Sequence, residues 1–296
     1  MINAIGVDVD DTFVGFVQQT LDANVPFQAV NLRAAVDGEW RLDVPAGGPA
    51  LLRFGGESVC LQPEDAFYCR LIDLSSQISD TAASRRWHAL LSAFRGWLDS
   101  VPGTVVNRTC AGGHNSSKPL HETVLRDLGF RVPESITSSD PGELRDFVRE
   151  GPAVSKTLCG VRADTSLVQP EDFDDFQPAS GPVHLQRLVE GADARIHVIG
   201  GEMVGQRVSA TNVDYRRSGG LSEMEEFEPP VEMRKLLVEA TKALDLAFAG
   251  WDFKISADDV YWCFEANPMP GYGPYDNRCD GAITAKLLRF LGAKQI

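Results

Sequence analysis

Apolar residues recur along this chain in two rhythms. Short unbroken runs, Ala4–Val7 and Pro26–Val30, predict buried strands, and the helical register of the apolar positions over Thr12–Leu21 predicts a helix between them. Arg41–Val44 and Ala50–Arg53 flank a turn rich in Gly and Pro, Pro45–Pro49, and predict a strand pair. Trp87, Leu90, Leu91, Phe94 and Leu98 stand three and four apart, the signature of an amphipathic helix over Ser84–Leu98 that Pro102 and Gly103 stop. This alternation predicts a small open parallel sheet over residues 1–107.

After Asn107 the pattern changes. Cys110–Ser117 has little to pack and reads as a linker. A helix is expected over Pro119–Leu128, capped by Ser116 or Ser117 and ended by Gly129, then a short strand at Ile136–Thr137. A second helix, Pro141–Arg149, has Ser139 or Asp140 as its cap, and Ala153–Leu158 reads as a strand running into Gly160. Beyond the acidic turn Glu171–Asp175, strands are expected at Val183–Leu188, Ala194–Ile199 and Met203–Val208, the last two joined at Gly200 and Gly201. A helix over Pro230–Ala247 precedes strands Gly250–Ile255 and Val260–Glu265, with Asp258 and Asp259 as the turn between them. No internal repeat or low-complexity segment interrupts the series.

The 296 residues suit two or three domains, and 43% hydrophobic with 24% charged is an ordinary globular composition. With 42 acids against 28 bases the formal charge is -14, which argues against duplex nucleic acid or an anionic membrane as main partner. A small anion stays open, since Lys and Arg can cluster locally. No run of about 18 apolar residues predicts a membrane span, and the first residues carry acids where a secretory signal carries Lys or Arg. Cys60, Cys69, Cys110, Cys159, Cys263 and Cys279 are scattered without a C-x-x-C pair, the usage of reduced thiols in a cytoplasmic protein.

The most informative stretch runs from Gly250 to Gly271. Asp252 lies on one expected strand; Glu265 and Asn267, two apart, point to one face of its partner. If the strands pair across Asp258 and Asp259, that face collects three oxygen ligands of the kind magnesium takes, and two carboxylates there are costly without a cation. Lys118 begins a helix, where a cation opposes the macrodipole unless an anion is near, and Lys156 ends an apolar strand. Gln186–Glu190 offers extended backbone, with Leu188 and Val189, that can meet a purine by main-chain bonding. The segments Asp193–Arg195 and Asp214–Arg217 add the guanidinium groups of Arg195, Arg216 and Arg217, which pair with phosphate or carboxylate oxygens. There is no P-loop or dinucleotide-binding glycine motif, no H-E-x-x-H and no G-x-S-x-G elbow. His88 in a helix and His197 in an apolar strand read as packed rings.

In their order these motifs resemble the ATP-grasp superfamily of carboxylate-amine ligases, in the branch of the ribosomal-protein glutamate ligase and the graspetide peptide macrocyclases. The resemblance rests on Lys118-Pro-Leu with Gly129–Pro133, Ser155-Lys156-Thr157 with Gly160, Gln186–Val189, Asp193–Gly200, Asp214–Arg216, and Asp252 with Phe264–Pro268. It covers roughly residues 105–291, and more loosely the whole chain. It implies an α/β (α+β) ATP-grasp fold: a pre-ATP-grasp domain at 1–107, a phosphate-covering lobe at 108–185 and a lobe with the metal site at 186–296. Lys118 and Lys156 would then hold ATP phosphates, Gln186, Leu188 and Val189 would surround adenine, and Asp193 would meet the ribose. Asp252, Glu265 and Asn267 would hold two magnesium ions, with manganese able to replace them, and Arg195 and Arg216 would neutralise the γ-phosphate, an acyl-phosphate or an acidic substrate. The implied activity is an ADP-forming ligation of a carboxylate to an amine or hydroxyl, the substrate an amino acid, a peptide or a peptide-like metabolite. A nucleotide-binding module without catalysis is the competing expectation, and a homo-oligomer is left open. The chain departs from the pattern at Arg187, where many relatives carry an acid, and in having essentially Gly160 alone to cover phosphate.

Overall fold

The structure, a computed structural model, describes residues 1–45, 47–158, 165–209 and 223–293. β1 (Ile2–Gly6) is buried at all five positions, including Asn3, whose amide donates to Asp65. α1 (Asp11–Asp22) follows, its first turn capped by the Asp10 carboxylate, which accepts from Thr12 N. β2 (Phe27–Asn31), α2 (Ala34–Asp37), β3 (Trp40–Asp43), β4 (Ala50–Phe54), β5 (Glu57–Leu61), β6 (Ala66–Cys69), α3 (Thr81–Ser100) and β7 (Val105–Val106) complete the first third. The expected parallel sheet is present in the order β2-β1-β6-β7. The strand pair around the Pro45–Pro49 turn forms as well, but β3-β4-β5 is a separate antiparallel sheet. Trp87, Leu90, Leu91 and Phe94 of α3 pack in one core with residues of both sheets.

This first third is not tethered loosely. Asn107 donates from Nδ2 to the carbonyls of Phe248 (2.6 Å) and Pro268 (2.5 Å), and its Oδ1 accepts from Ala247 N and Phe248 N, both at 2.9 Å. Ile2, Phe13, Phe16 and Tyr68 share a core with Ile199, Phe248, Tyr272, Ile283 and Leu287.

Next come α4 (Lys118–Asp127), β8 (Ser135–Ser138), α5 (Pro141–Glu150), β9 (Ala153–Lys156), β10 (Ser166–Val168) and β11 (Val183–Arg187). Ser117 occupies the cap position of α4 but makes no side-chain cap bond. Asp140 caps α5, accepting from Gly142 N and Glu143 N. The strands form an antiparallel sheet, β10-β9-β11-β8, and Leu185 on one face packs with Leu144 and Phe147 of α5. The last third holds β12 (Ala192–Ile199), β13 (Glu202–Ser209), β14 (Glu223–Phe227), α6 (Val231–Ala243), β15 (Phe248–Ile255), β16 (Tyr261–Asn267), α7 (Gly273–Asp276) and α8 (Ala282–Phe290). Its antiparallel order is β14-β13-β12-β15-β16. α6 is shorter than its sequence suggests because Asp245 takes a left-handed backbone (φ 56°) and turns the chain into β15.

One irregularity in this sheet matters for everything that follows. From the Asp258–Asp259 turn the hairpin runs in simple register through Ile255↔Tyr261, Lys254↔Trp262 and Phe253↔Cys263, then shifts so that Asp252 faces Glu265 and Gly250 faces Asn267. Phe264 is the extra residue. Without this bulge Asp252 would oppose Phe264, and Glu265 would turn to the face where Phe253 and Cys263 are buried.

No helix among the described residues is long and apolar enough to cross a membrane. Cys60, Cys69, Cys110, Cys263 and Cys279 are free thiols.

Candidate active site

Strand alternation puts Asp193, Arg195 and His197 of β12, Gly250, Asp252 and Lys254 of β15, and Glu265 and Asn267 of β16 on one face of the five-stranded sheet. Arg195, Asp252 and Glu265 are neighbours in a single row across three strands. Arg195 Nη1 lies 2.6 Å from Asp252 Oδ1, and Asp193 pairs one row further on with Lys254 at 3.0 Å. Arg195 Nε donates to His197 Nε2 at 3.3 Å, and burial holds the fully enclosed His197 ring well below its usual pKa, hence neutral.

α4 closes this row from the side. Lys118, His121, Glu122 and Leu125 stand at the i, i+3, i+4, i+7 spacing of one helical stripe. Lys118 Nζ lies 3.0 Å from Glu265 Oε2, and Asn115 Nδ2 donates to Glu265 Oε1 at 3.2 Å. Burial by itself would raise the Glu265 pKa. The Lys118 charge and hydrogen bond, the Asn115 bond and the Arg195 charge outweigh it and bring the carboxyl down to about 2. Asn115 belongs to the segment expected to be a linker; it is a short 3-10 turn, Gly113–Ser116, built into the site.

The sheet β10-β9-β11-β8 forms the other wall. Register places Lys156 beside His184 and Gln186 beside Val154 on a common face, and the Lys156 ammonium rests 4.5 Å from the Phe264 ring centroid. Gln186 is 1% exposed and donates from Nε2 to Glu122 Oε1 at 2.7 Å, leaving its Oε1 unbonded among the described residues. Glu122 also takes His184 Nε2 at 3.0 Å and the Ser135 hydroxyl. Burial opposes its ionisation, but these bonds lower its pKa. Leu188 and Val189 are half-buried beyond the end of β11, and Leu188 N bonds to Pro152 O. Arg187 turns to the other side, over the Phe147 ring and onto Glu150 and Glu134, away from Gln186. Arg187 is thus engaged with Phe147 and Glu150 of α5 and with Glu134.

Of the residues singled out in the sequence, the structure brings Lys118, Arg195, Asp252, Glu265 and Asn267 together and sets Lys156 and Gln186 on the neighbouring sheet. Arg216 and Gly160 lie outside the described residues. Asn115, His114, His121 and Glu122 escape the sequence reading; the signal that marks the last two is a run of polar residues on the helix stripe that should be core.

The donor set fits magnesium. Two carboxylates and an amide are hard oxygen ligands; Glu265 is kept ionised by its neighbours, and Asn267 Oδ1, which accepts from Met269 N at 2.8 Å, retains a second lone pair. Gly250 is required beneath Arg195: a Cβ there would lie 2.3 Å from Arg195 Nη2 and 2.7 Å from Pro270 Cβ. Arg195 is 5% exposed, so it cannot swing into solvent without leaving Asp252. Gly250→Ala is expected to cost about 1–3 kcal/mol by overpacking, because Arg195 must shift from Asp252; urea unfolding checks it, and a wild-type value would show that the guanidinium has room to move.

No protein-family model matches the chain. A probable alpha-L-glutamate ligase of Parasynechococcus marenigrum is 29% identical over 160 residues, covering 48% of this chain and 34% of that protein's length. Among solved structures, the ATP-grasp ligase PsnB, complexed with a phosphomimetic variant of minimal precursor, Mg and ADP, superposes with a TM-score of 0.78 at 22% identity over 98% of each chain. The macrocyclase MdnC from Microcystis aeruginosa MRC, bound with precursor peptide MdnA, gives 0.80 at 20% identity over 98% of this chain and 99% of its own. A RiPP-associated ATP-grasp ligase of Chryseobacterium gregarium, in complex with ADP and a leader and core peptide, gives 0.77 at 16% identity over 100% and 98%. The two facing sheets, the row of acids on one and the lysine on the other belong to a chain with the ATP-grasp fold.

Proposed function

We propose that this chain is an ATP-dependent, ADP-forming ligase that joins a carboxylate to an amine or hydroxyl through an acyl-phosphate. The observation that carries the reading is the convergence of Asp252, Glu265 and Asn267 on one face, with Lys118 3.0 Å from Glu265 and Lys156 on the facing sheet. On this reading residues 1–107 are the pre-ATP-grasp domain, 108–185 the lobe that covers the phosphates and 186–296 the lobe with the metal site. The substrate is an amino acid, peptide or peptide-like metabolite bearing a carboxylate, a reading supported by the precursor peptides bound in the structural relatives. The predominantly acidic surface, at a net charge of -14, supports neither nucleic acid nor an anionic membrane as partner, and a cytoplasmic location agrees with the free cysteines.

Asp252, Glu265 and Asn267 would hold two magnesium ions. Bound there, magnesium supplies positive charge to the phosphate tail. Lys118 and Lys156 would grip the phosphates, and Gln186, Leu188, Val189 and Asp193 would hold adenine and ribose. A substrate carboxylate oxygen attacks the γ-phosphorus and ADP leaves; an amine or hydroxyl then attacks the acyl carbon and phosphate leaves. Arg195, already held by Asp252 and His197, would neutralise charge on the transferred group. Arg216 takes the same role on the resemblance alone. Nothing in this sequence needs a side-chain nucleophile; the residues position and neutralise.

The test is ADP release by purified protein with ATP, magnesium and a panel of acidic peptides that carry, or are supplied with, amine and hydroxyl acceptors, read alongside a product mass equal to the joined groups less one water. ATP binding without ADP release across the panel would favour the non-catalytic module.

A further inference from the structure

β16 is the edge strand of its sheet, so the amides that face outward have no ladder partner. Two of them are met by other means. Cys263 N donates to Arg131 O at 2.7 Å, just before the bulge, and Ala266 N donates to His121 Nε2 at 2.9 Å, just after it. Between these two anchors lie Phe264 and Glu265.

The second anchor dictates the protons on both rings. A backbone amide can only donate, so His121 Nε2 is bare and the ring proton sits on Nδ1. His121 Nδ1 lies 2.7 Å from His114 Nδ1, with the ring planes within 8° of parallel and their centroids 4.8 Å apart. His114 Nδ1 must therefore accept, and its own proton sits on Nε2. His121 is fully buried, and burial, with His114 close by, lowers its pKa to about 4, so the neutral form is the one present near pH 7. Asn115, next to His114, and Lys118, about one helical turn before His121, hold Glu265.

We propose that His121 is a positioning residue for this site: by accepting the Ala266 amide it locks β16 in its shifted register, which aims Glu265 and Asn267 into the cleft, while His114 fixes the tautomer that lets it do so. The inference rests on the ligase reading only for what Glu265 does once aimed. A ring that only filled space at this position would be replaceable by any side chain of similar size. A ring that acts through its acceptor nitrogen is replaceable only by another acceptor.

The experiment compares His121→Leu, His121→Gln and His114→Gln with the wild type. Amide exchange at Ala266, followed by NMR, should be at least tenfold faster in His121→Leu and return to within about threefold in His121→Gln, whose Oε1 can accept the same bond. Nitrogen-15 spectra of the imidazoles should show His121 protonated at Nδ1 in the wild type, and titration with Mn2+ alone should show weaker binding in His121→Leu, restored in His121→Gln. His114→Gln should leave both measures between those of the other two variants. Equal exchange and Mn2+ binding in His121→Leu and wild type, a His121 ring protonated at Nε2, or a glutamine variant no better than leucine would each overturn the proposal. Failure of the wild type to bind Mn2+ would instead count against the metal site, with the exchange and tautomer measurements still deciding the role of His121.

Discussion

Glu265→Gln is expected to cut ATP consumption by about 100- to 1,000-fold, the scale on which one preorganised charge in a water-poor site acts, while leaving the fold intact. Glutamine has the same shape but a single acceptor oxygen, so it can keep the bond from Lys118 or the bond from Asn115 but not both, and the loss reports the carboxylate charge together with one hydrogen bond. That charge does two things in the proposed mechanism: it is a hard ligand, and it offsets Lys118 and Arg195, the nearest cations. Circular dichroism and steady-state ADP release separate folding from function. Turnover within threefold of wild type would remove Glu265 from the chemistry. The pH dependence follows from the same neighbours. The Glu265 pKa falls from its ordinary 4.5 to about 2 on folding, so its stabilising contribution is complete above about 4.5, declines as pH falls from there and is gone below about 2. Between pH 5 and 8 this carboxylate should impose no slope on Mn2+ or nucleotide affinity.

The second large effect is on stability and lies at the seam between the first parallel sheet and the site. Arg70 is buried with Asp10; its Nε donates to Asp10 Oδ2, its Nη2 to Asp10 Oδ1 at 3.3 Å, and its Nη1 to Pro270 O at 2.9 Å. Each of the two side chains is 7% exposed. Arg70→Met fills the same space but leaves Asp10 charged, enclosed and without its cation, a change expected to cost about 3–5 kcal/mol. Urea unfolding measures it. Adding Asp10→Ser should recover most of the loss, because serine can still cap α1 and no buried charge remains. A single variant within 1 kcal/mol of wild type would mean that Asp10 is accommodated without Arg70. The Pro270 contact adds a functional consequence: this loop directly follows Asn267, so the substitution should also weaken Mn2+ binding.

Local chemistry alone accounts for much of what the sequence announces. The unbroken run at β1, the three-and-four spacing of α3, the Asp140 cap and the Asp258–Asp259 turn each depend on residues within one turn or strand of one another, and each is present. The departures come from longer range. β6 is a strand because β1 needs a neighbour on its second side, and the Cys110–Ser117 segment is ordered because Asn115 meets a carboxylate 150 residues away.

The candidate site divides in the same way. The sequence by itself determined which groups are available, two acids and an amide within sixteen residues and lysines at two other places, because composition and spacing are local properties of the chain. Whether those acids share a face was decided by tertiary structure. A strand alternates with period two, so a single inserted residue reverses every side chain beyond it. The insertion at Phe264 is held by partners on other elements, Arg131 before it and His121 after it, and no pattern within β16 reveals them.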